Sequence, residues 1–595
     1  MKITFVLASI TVFIGIILYF VFFRKKKNIK NNTFIALFIG MIAMTFLVYP
    51  LEQEYENIFT RILASYVYAL RCAGMGQNLQ LLSRIDMTTR NGQLYFIFMN
   101  TLFVIMPIMT VGFILTFLES VFTKISFLFA KNKELHIFSE INEKSLLIAK
   151  KLQNAHHVRI LFTSVTEKGN VNIRSICMRE DITNIKFEKN KNKLIFYMIS
   201  KKEDENINKT LELIQKYKTR KNTKINLISN SKETATLLDS TDKGEITVEI
   251  IHEKERAIFH LLNSKPLYLN SINHTISILI VGCGNLGKEF LKDATWCAMM
   301  PGYQLKILVV DKNADQIKEN LDIEAPEFLS NYNITFLQAD IQSSLAINSI
   351  KERDDVNYIL VSTESDDKNL EVAILLRRLY LREFQREPLI HLWISNEYKR
   401  DQIQNIVTEK KNSYHINAFG SLEDLYYQNN IVNSDLEKLA IQIHLLYDPQ
   451  DTDLKRYHSL EYNKRSSRAS ALHIKYKLYS ILQEDMTENM KENQKVFQER
   501  YSSEIEDLLA ENEHERWNAY TRSIGYIHAS IEDVENYYPK THHHVYYLAR
   551  MHPALVEYNQ LDEVSRELSR ICQKEIDLKA SDRQIVKGIQ TNIKL

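Results

Sequence analysis

The sequence predicts a multidomain chain with an N-terminal α-helical transmembrane region, tandem α/β modules and a C-terminal α-helical domain. Three observations carry this. Uncharged runs of membrane-spanning length crowd the first 120 residues, short apolar strands alternate with helical stretches after Lys133, and strands give way near Ser434 to a charged, Tyr-rich helical pattern. A chain of 595 residues exceeds the roughly 250–300 that one core supports, so several units are expected. Lys+Arg 75 against Asp+Glu 73, net +2, gives no bulk electrostatic case for a nucleic-acid partner. Cys72, Cys177, Cys283, Cys297 and Cys572 are scattered without Cys-x-x-Cys spacing. That pattern predicts neither a disulfide framework nor a metal site, and it suits a reducing cytosol.

The transmembrane region is predicted over 1–130, with helices at 3–23, 33–51 and 94–118. Each is uncharged and long enough, at about 1.5 Å per residue, to cross a hydrocarbon core of ~30 Å. Pro107 predicts a kink in the third. The first run passes unbroken into Arg24, Lys25, Lys26 and Lys27, a stop-transfer pattern rather than a cleavage site. With Lys30, these charges place the first loop in the cytoplasm, the N-terminus outside the plasma (inner) membrane, and everything after Glu119 in the cytosol. The external stretch "SYVYALRCAGMGQNLQLL" carries Gly74 and Gly76 but no Thr-Val-Gly-Tyr-Gly run, and reads equally as an amphipathic helix.

Over 131–270, "ELHIFSEINEKSLLIAKKLQ" reads as strand, turn and helix, with strands following at 158–164, 193–200, 224–230 and 246–251. Over 271–435 the cadence restarts with "ISILIVGCGNLGKEFLKDA", followed by "LKILVVD" (305–311), "ITFLQAD" (334–340), "NYILVSTESDDKNLEVAILLRRL" (357–379) and "PLIHLWIS" (388–395). These are two Rossmann-like modules. In the second, Gly282 and Gly284 allow a tight turn and close approach of backbone N–H groups to a pyrophosphate, while Gly287 lets the next helix pack against its strand. The helix N-terminus, at Asn285 and Leu286, then faces the anion. Asp311, with Lys312 beside it, ends the next strand where a carboxylate bonds ribose hydroxyls. The first module has "SEINEKS" at the equivalent turn, without glycine and with Glu140 to repel phosphate. It is expected to be scaffold.

Strand, "VGCGNLG", helix, "VVD", "QAD" and "VSTESDDKNL", in that order over about 274–400, resemble the RCK domain, the regulator of potassium conductance found behind membrane pores. The resemblance implies that Asp340, Thr363, Glu364 and Asp366 line a cleft with the glycine turn, and that the cleft takes NAD or another adenine nucleotide. It also implies assembly into a homo-oligomer, dimer or tetramer, in which ligand binding opens a pore.

The remaining unit, 436–595, contains "AENEHERWNAYTRSIGY" and "HPALVEYNQLDEVSRE", similar to the RyR domain first named in ryanodine receptors and present in bacterial proteins. "YNKRSSRASALHIKYKL" resembles the helix that accompanies it in bacterial RCK and RyR fusions. By this reading Arg465, Arg468 and Arg516 offer guanidinium groups to phosphate, and Trp517 and Tyr526 offer aromatic faces to a base, beside His514. The family's aromatic-Gly step after Tyr526 is replaced by "IHAS". The two-His spacing of a helical zinc site is absent, and "THHHVYY" at 541–547 reads as a solvated loop.

No residue is placed for catalysis, because no substrate domain with an inserted base follows the second module. The expectation is therefore a nucleotide-gated ion channel or membrane effector spanning a lipid bilayer, with an antiphage role implied by resemblance to fusions in bacterial conflict systems. The alternative is a non-conducting, membrane-anchored nucleotide sensor or scaffold that signals through partners.

Overall fold

The computed structural model describes residues 2–23, 29–76, 79–129, 133–154, 157–165, 173, 175–187, 193–409, 415–421, 425, 435–484, 490–541 and 549–591. The basic run at 24–27 and the histidines at 542–544 lie outside them. The chain divides into two compact units, Met1–Asn132 and Lys133–Leu595.

The first unit is helical throughout its described elements: Lys2–Phe23, Ile29–Val48, Ile58–Ala73, Leu79–Leu82 and Arg90–Phe129. Its core joins Met44, Leu47 and Val48 to Tyr68, Ala69 and Cys72, and to Tyr95, Met99 and Met106. The third expected span, 94–118, is part of a helix of 40 residues with Pro107 inside it. Among the described residues, Arg90–Val111 is the segment long and apolar enough to cross a membrane, and Ile3–Gly15 and Ala36–Val48 are shorter apolar helices. The second helix stops at Val48 rather than 51, because Pro50 disfavours helical backbone at Tyr49. Asn57 caps the helix Ile58–Ala73 through the N–H of Phe59. Gly74 and Gly76 close its other end, where the N–H of Gly76 reaches Arg71 O at 2.8 Å and Met75 takes a left-handed φ of 67°. The "AGMG" run is thus a helix stop.

The second unit holds two six-stranded parallel sheets. Strands β1 (Glu134–Phe138), β2 (Val158–Phe162), β3 (Ser175–Cys177), β4 (Leu194–Met198), β5 (Thr223–Ile228) and β6 (Ile246–Ile251) lie in the order β3-β2-β1-β4-β5-β6. Strands β7 (Thr275–Val281), β8 (Gln304–Asp311), β9 (Ile334–Gln338), β10 (Tyr358–Val361), β11 (Leu389–Trp393) and β12 (Ile416–Phe419) repeat it as β12-β11-β10-β7-β8-β9. This order is that of the Rossmann fold, with a crevice where the chain reverses direction across the sheet. The central strands are buried on both faces, which is why they read as unbroken apolar runs. The expected duplication of architecture is present. Two strands went unread, β3 and β12, because three or four residues of mixed polarity carry no period.

The regions 131–270, 271–435 and 436–595 share one core. It runs from Phe138, Phe162 and Tyr197 through Ile278, Phe290 and Trp296 to Tyr476 and Tyr520. Asn357, fully buried, accepts from Ser277 N–H at 2.8 Å and donates to Leu267 O at 2.8 Å and Leu269 O at 2.9 Å. It thereby fixes the inter-module connection to the second sheet. The C-terminal part is helical, apart from a two-residue parallel pair, Ile527–His528 with Met551–His552.

Within it, Glu513 is wholly buried between Lys477 Nζ at 2.6 Å and Arg516 Nη2 at 2.8 Å. Burial works to raise its pKa, but the two cations outweigh that and hold the carboxyl down at about 2. Lys477 is held below the ordinary lysine range, because burial and the neighbouring Arg516 oppose its charge more than Glu513 supports it. Glu513→Ala is expected to cost about 3–5 kcal/mol by stranding two buried cations. Lys477→Met, which leaves the Arg516 pair intact, should cost far less; equal shifts of the urea midpoint in the two variants would refute this account. The Glu513 contribution should be complete above about pH 4.3, the unfolded carboxyl value, and should be lost as pH falls towards 2.

Candidate functional site

The crevice of the second sheet lies where β7 and β10, neighbours with Val281 beside Val361, send their chains to opposite sides. Gly282 follows β7 with φ +85°, and a Cβ there would lie 2.5 Å from Ser362 O. A Cβ at Gly287 would lie 2.4 Å from Gly282 O. These two glycines serve close packing of turn, helix and β10, which Ser362 Oγ reinforces by donating to Gly282 O at 2.7 Å.

Gly284 differs. It is the N-cap of the helix Asn285–Cys297, contributes no side-chain cap, and has nothing within 4 Å of where its Cβ would be. The first intrahelical bond runs from Lys288 N to Gly284 O at 2.9 Å, so the N–H groups of Asn285, Leu286 and Gly287 have no partner within the helix. An uncapped helix N-terminus beside open space suits a phosphate.

Asp311 stands at this turn as expected, but it is already engaged. Its Oδ2 accepts from Cys283 N–H at 2.7 Å and its Oδ1 from Asn313 N–H at 2.8 Å. Burial and the Asp311 charge push the Cys283 thiol up to about 12. Lys312 reaches Asp340 at 3.3 Å across the ends of β8 and β9. Asp340 is held below the usual carboxylate range, first by the N–H of Gln342.

On the β10 side, Thr363 donates from both N–H and Oγ1 to Asn369 Oδ1, at 2.6 and 2.7 Å, while Asn369 Nδ2 reaches Trp393 O at 2.8 Å. Glu364 is exposed. Asp366 accepts from Ser395 N–H at 3.0 Å and Asn396 N–H at 2.9 Å, which secures the loop after β11. Sequence reading missed Ser362, whose role exists only through a loop 80 residues away.

The equivalent end of β1 is closed by side chains. Asn142 caps the helix Glu143–Leu152 at Ser145 N, Ser145 returns the bond to Asn142 N, and Asn142 Nδ2 reaches Ile199 O at 2.8 Å. Ser139 Oγ accepts from Ile199 N–H at 3.0 Å. That helix N-terminus is filled by its own chain.

The arginines assigned to a C-terminal phosphate site are corrected. Arg465 pairs with Glu255, and Arg468 pairs with Glu249 and with Glu437, the last at 2.6 Å. Arg516 is wholly buried on Glu513. Desolvating a guanidinium requires a carboxylate partner, so these side chains serve the fold. His514 lies between Asp582 Oδ2 at 3.2 Å and Val556 O at 2.9 Å. Trp517 stacks on His514 with centroids 5.7 Å apart and meets His552 edge-on at 4.9 Å. Tyr526 is buried beside Tyr462.

His444, Asp448 and Asp451 come together unforeseen, their donor atoms within 4.8 Å of one another. Asp451 accepts from His444 at 2.8 Å and from Tyr457 N–H at 2.8 Å, and Asp448 holds Arg456 at 2.8 Å. The group reads as a loop clasp.

No protein-family model matches the chain, and no curated protein matches it. Solved structures overlap it, among them three that each cover 70% of this chain and are covered over 97% of their own. These three are a GsuK channel (13% identity, TM-score 0.34), a point mutant of GsuK (14%, 0.30) and GsuK bound to ADP (14%, 0.32).

Gly284→Ala should leave the fold intact, since its Cβ meets nothing. Gly284→Asp places a carboxylate at the uncapped helix terminus and should weaken ADP or NAD binding ~100-fold, about 2.7 kcal/mol. Titration calorimetry giving the same affinity for Gly284→Asp as for the unaltered chain would sink the phosphate assignment.

Proposed function

We propose that the chain is a nucleotide-regulated membrane protein whose second Rossmann-like module binds an adenine nucleotide and whose occupancy controls the N-terminal helical unit. The observation that carries this reading is the uncapped helix N-terminus at Gly284, at the reversal point of a parallel sheet. The duplicate crevice, filled by Asn142 and Ser139, supplies contrast within the same chain. No reaction is assigned.

The N-terminal unit spans the inner membrane with its N-terminus outside, and the Lys133–Leu595 unit faces the cytosol. Its exposed apolar side chains, among them Phe13 at 64%, Ile97 at 60% and Ile108 at 67%, are suited to lipid. The helix Arg90–Phe129, about 60 Å long at 1.5 Å per residue, exceeds a ~30 Å hydrocarbon core. Four residues separate it from β1. Ion conduction by a homo-oligomer, in the setting of bacterial antiphage defence, is the finer form of this proposal.

Purified full-length protein in liposomes should release potassium or sodium in the presence of one of ADP, ATP, NAD, NADH, ADP-ribose or a cyclic dinucleotide, and Gly284→Asp should abolish that response. Nucleotide binding without flux would replace the channel by a membrane-anchored sensor acting through a partner protein.

A further inference from the structure

The two helices that flank the nucleotide crevice end on the same surface. The helix Asn285–Cys297 begins at the glycine turn and runs about 20 Å. At its far end Trp296, wholly buried, meets Tyr520 edge-on at 6.2 Å, and Met299 O accepts from Asn512 Nδ2 at 2.8 Å. The helix Ala314–Glu324 begins three residues after Asp311. Its last residue, Glu324, binds Lys292 of the first helix at 3.3 Å, joining the two rods. Just beyond it, Glu327 accepts from Arg522 Nε at 3.4 Å and from His528 N–H at 2.9 Å. Gly525 adopts φ +94° where its Cβ would stand 2.4 Å from Glu324 O. Asn512, Tyr520, Arg522, Gly525 and His528 all belong to the C-terminal helical part, on the helix Ser503–Ser523 and the turn that follows it.

We infer that the C-terminal helical part grips the far ends of both crevice helices, so that its conformation and nucleotide occupancy of the crevice are energetically linked. The inference rests on the reading of that crevice as a nucleotide site. Each rod has one end at the turn and the other in the grip, and a helix transmits a shift along its axis because its hydrogen-bond ladder resists compression. Anything that loosens the grip alters the turn, and by reciprocity a nucleotide at the turn tightens or loosens the grip. Gly525 is required by the close approach of the Glu324 backbone, a reason independent of any ligand of the C-terminal part.

The test uses the full chain in detergent micelles with Glu327→Ala, which removes the carboxylate that Arg522 Nε and His528 N–H share, and Gly525→Ala, which drives a Cβ against Glu324 O. Neither residue touches the crevice; if Gly525→Ala does not fold, Glu327→Ala carries the test alone. Amide hydrogen exchange over 282–288 and 311–313 is measured without ligand, and dissociation constants are measured for ADP and NAD. The linkage predicts several-fold faster exchange at the turn and a change of at least about 5-fold in the dissociation constant of the nucleotide that binds. Unchanged exchange at the turn together with unchanged affinities overturns it. Accelerated exchange in a protein that binds neither probe keeps the mechanical link and refutes the nucleotide reading instead.

Discussion

The close approach of Gly282 to the Ser362 backbone is the constraint on which the second module depends. The carbonyl of Ser362 occupies the space that a side chain at 282 would need, so β7 and β10 can stay paired up to Val281 and Val361 while their chains part. That departure opens the crevice, starts the helix Asn285–Cys297 in the right place and leaves its N-terminus uncapped. Parallel sheets place ligands at such reversal points because two helix N-termini and two loop ends converge there. In the first module the same topology is present, yet Asn142, Ser145 and Ser139 satisfy the polar groups that a ligand would satisfy. Fold alone therefore does not make a site; the difference lies in whether the helix cap is a side chain or empty space.

The C-terminal part buries paired charges as well as apolar surface. Arg465, Arg468, Arg516, Lys464 and Lys477 are each paired with a carboxylate, the first module supplying Glu249 and Glu255. Such pairs add little net stability over apolar replacements, but they are expensive to break and orient partners stringently. They explain why one core passes through regions that read as independent domains. The helical part cannot leave the first module without stranding Arg465 and Arg468, and it cannot leave the second without uncovering Trp296.

Sequence alone determined that two α/β modules precede a helical C-terminal part. Predominantly apolar runs marked β1, β2 and β4 to β11, because most strands of a parallel sheet covered on both faces are largely buried, and the glycine spacing identified the turn, because only glycine fits where backbones nearly touch. Asp311 was correctly placed beside the turn from its position at a strand end. What only the tertiary structure decided are the partners. Whether Asp366 faces a ligand or the loop after β11, whether Arg468 meets a phosphate or Glu249, and whether Gly74 and Gly76 end a helix depend on groups between 3 and 219 residues distant. Local pattern reports the environment that a residue requires. A guanidinium or carboxylate can meet its requirement with any complementary group, and only the folded chain determines which one arrives.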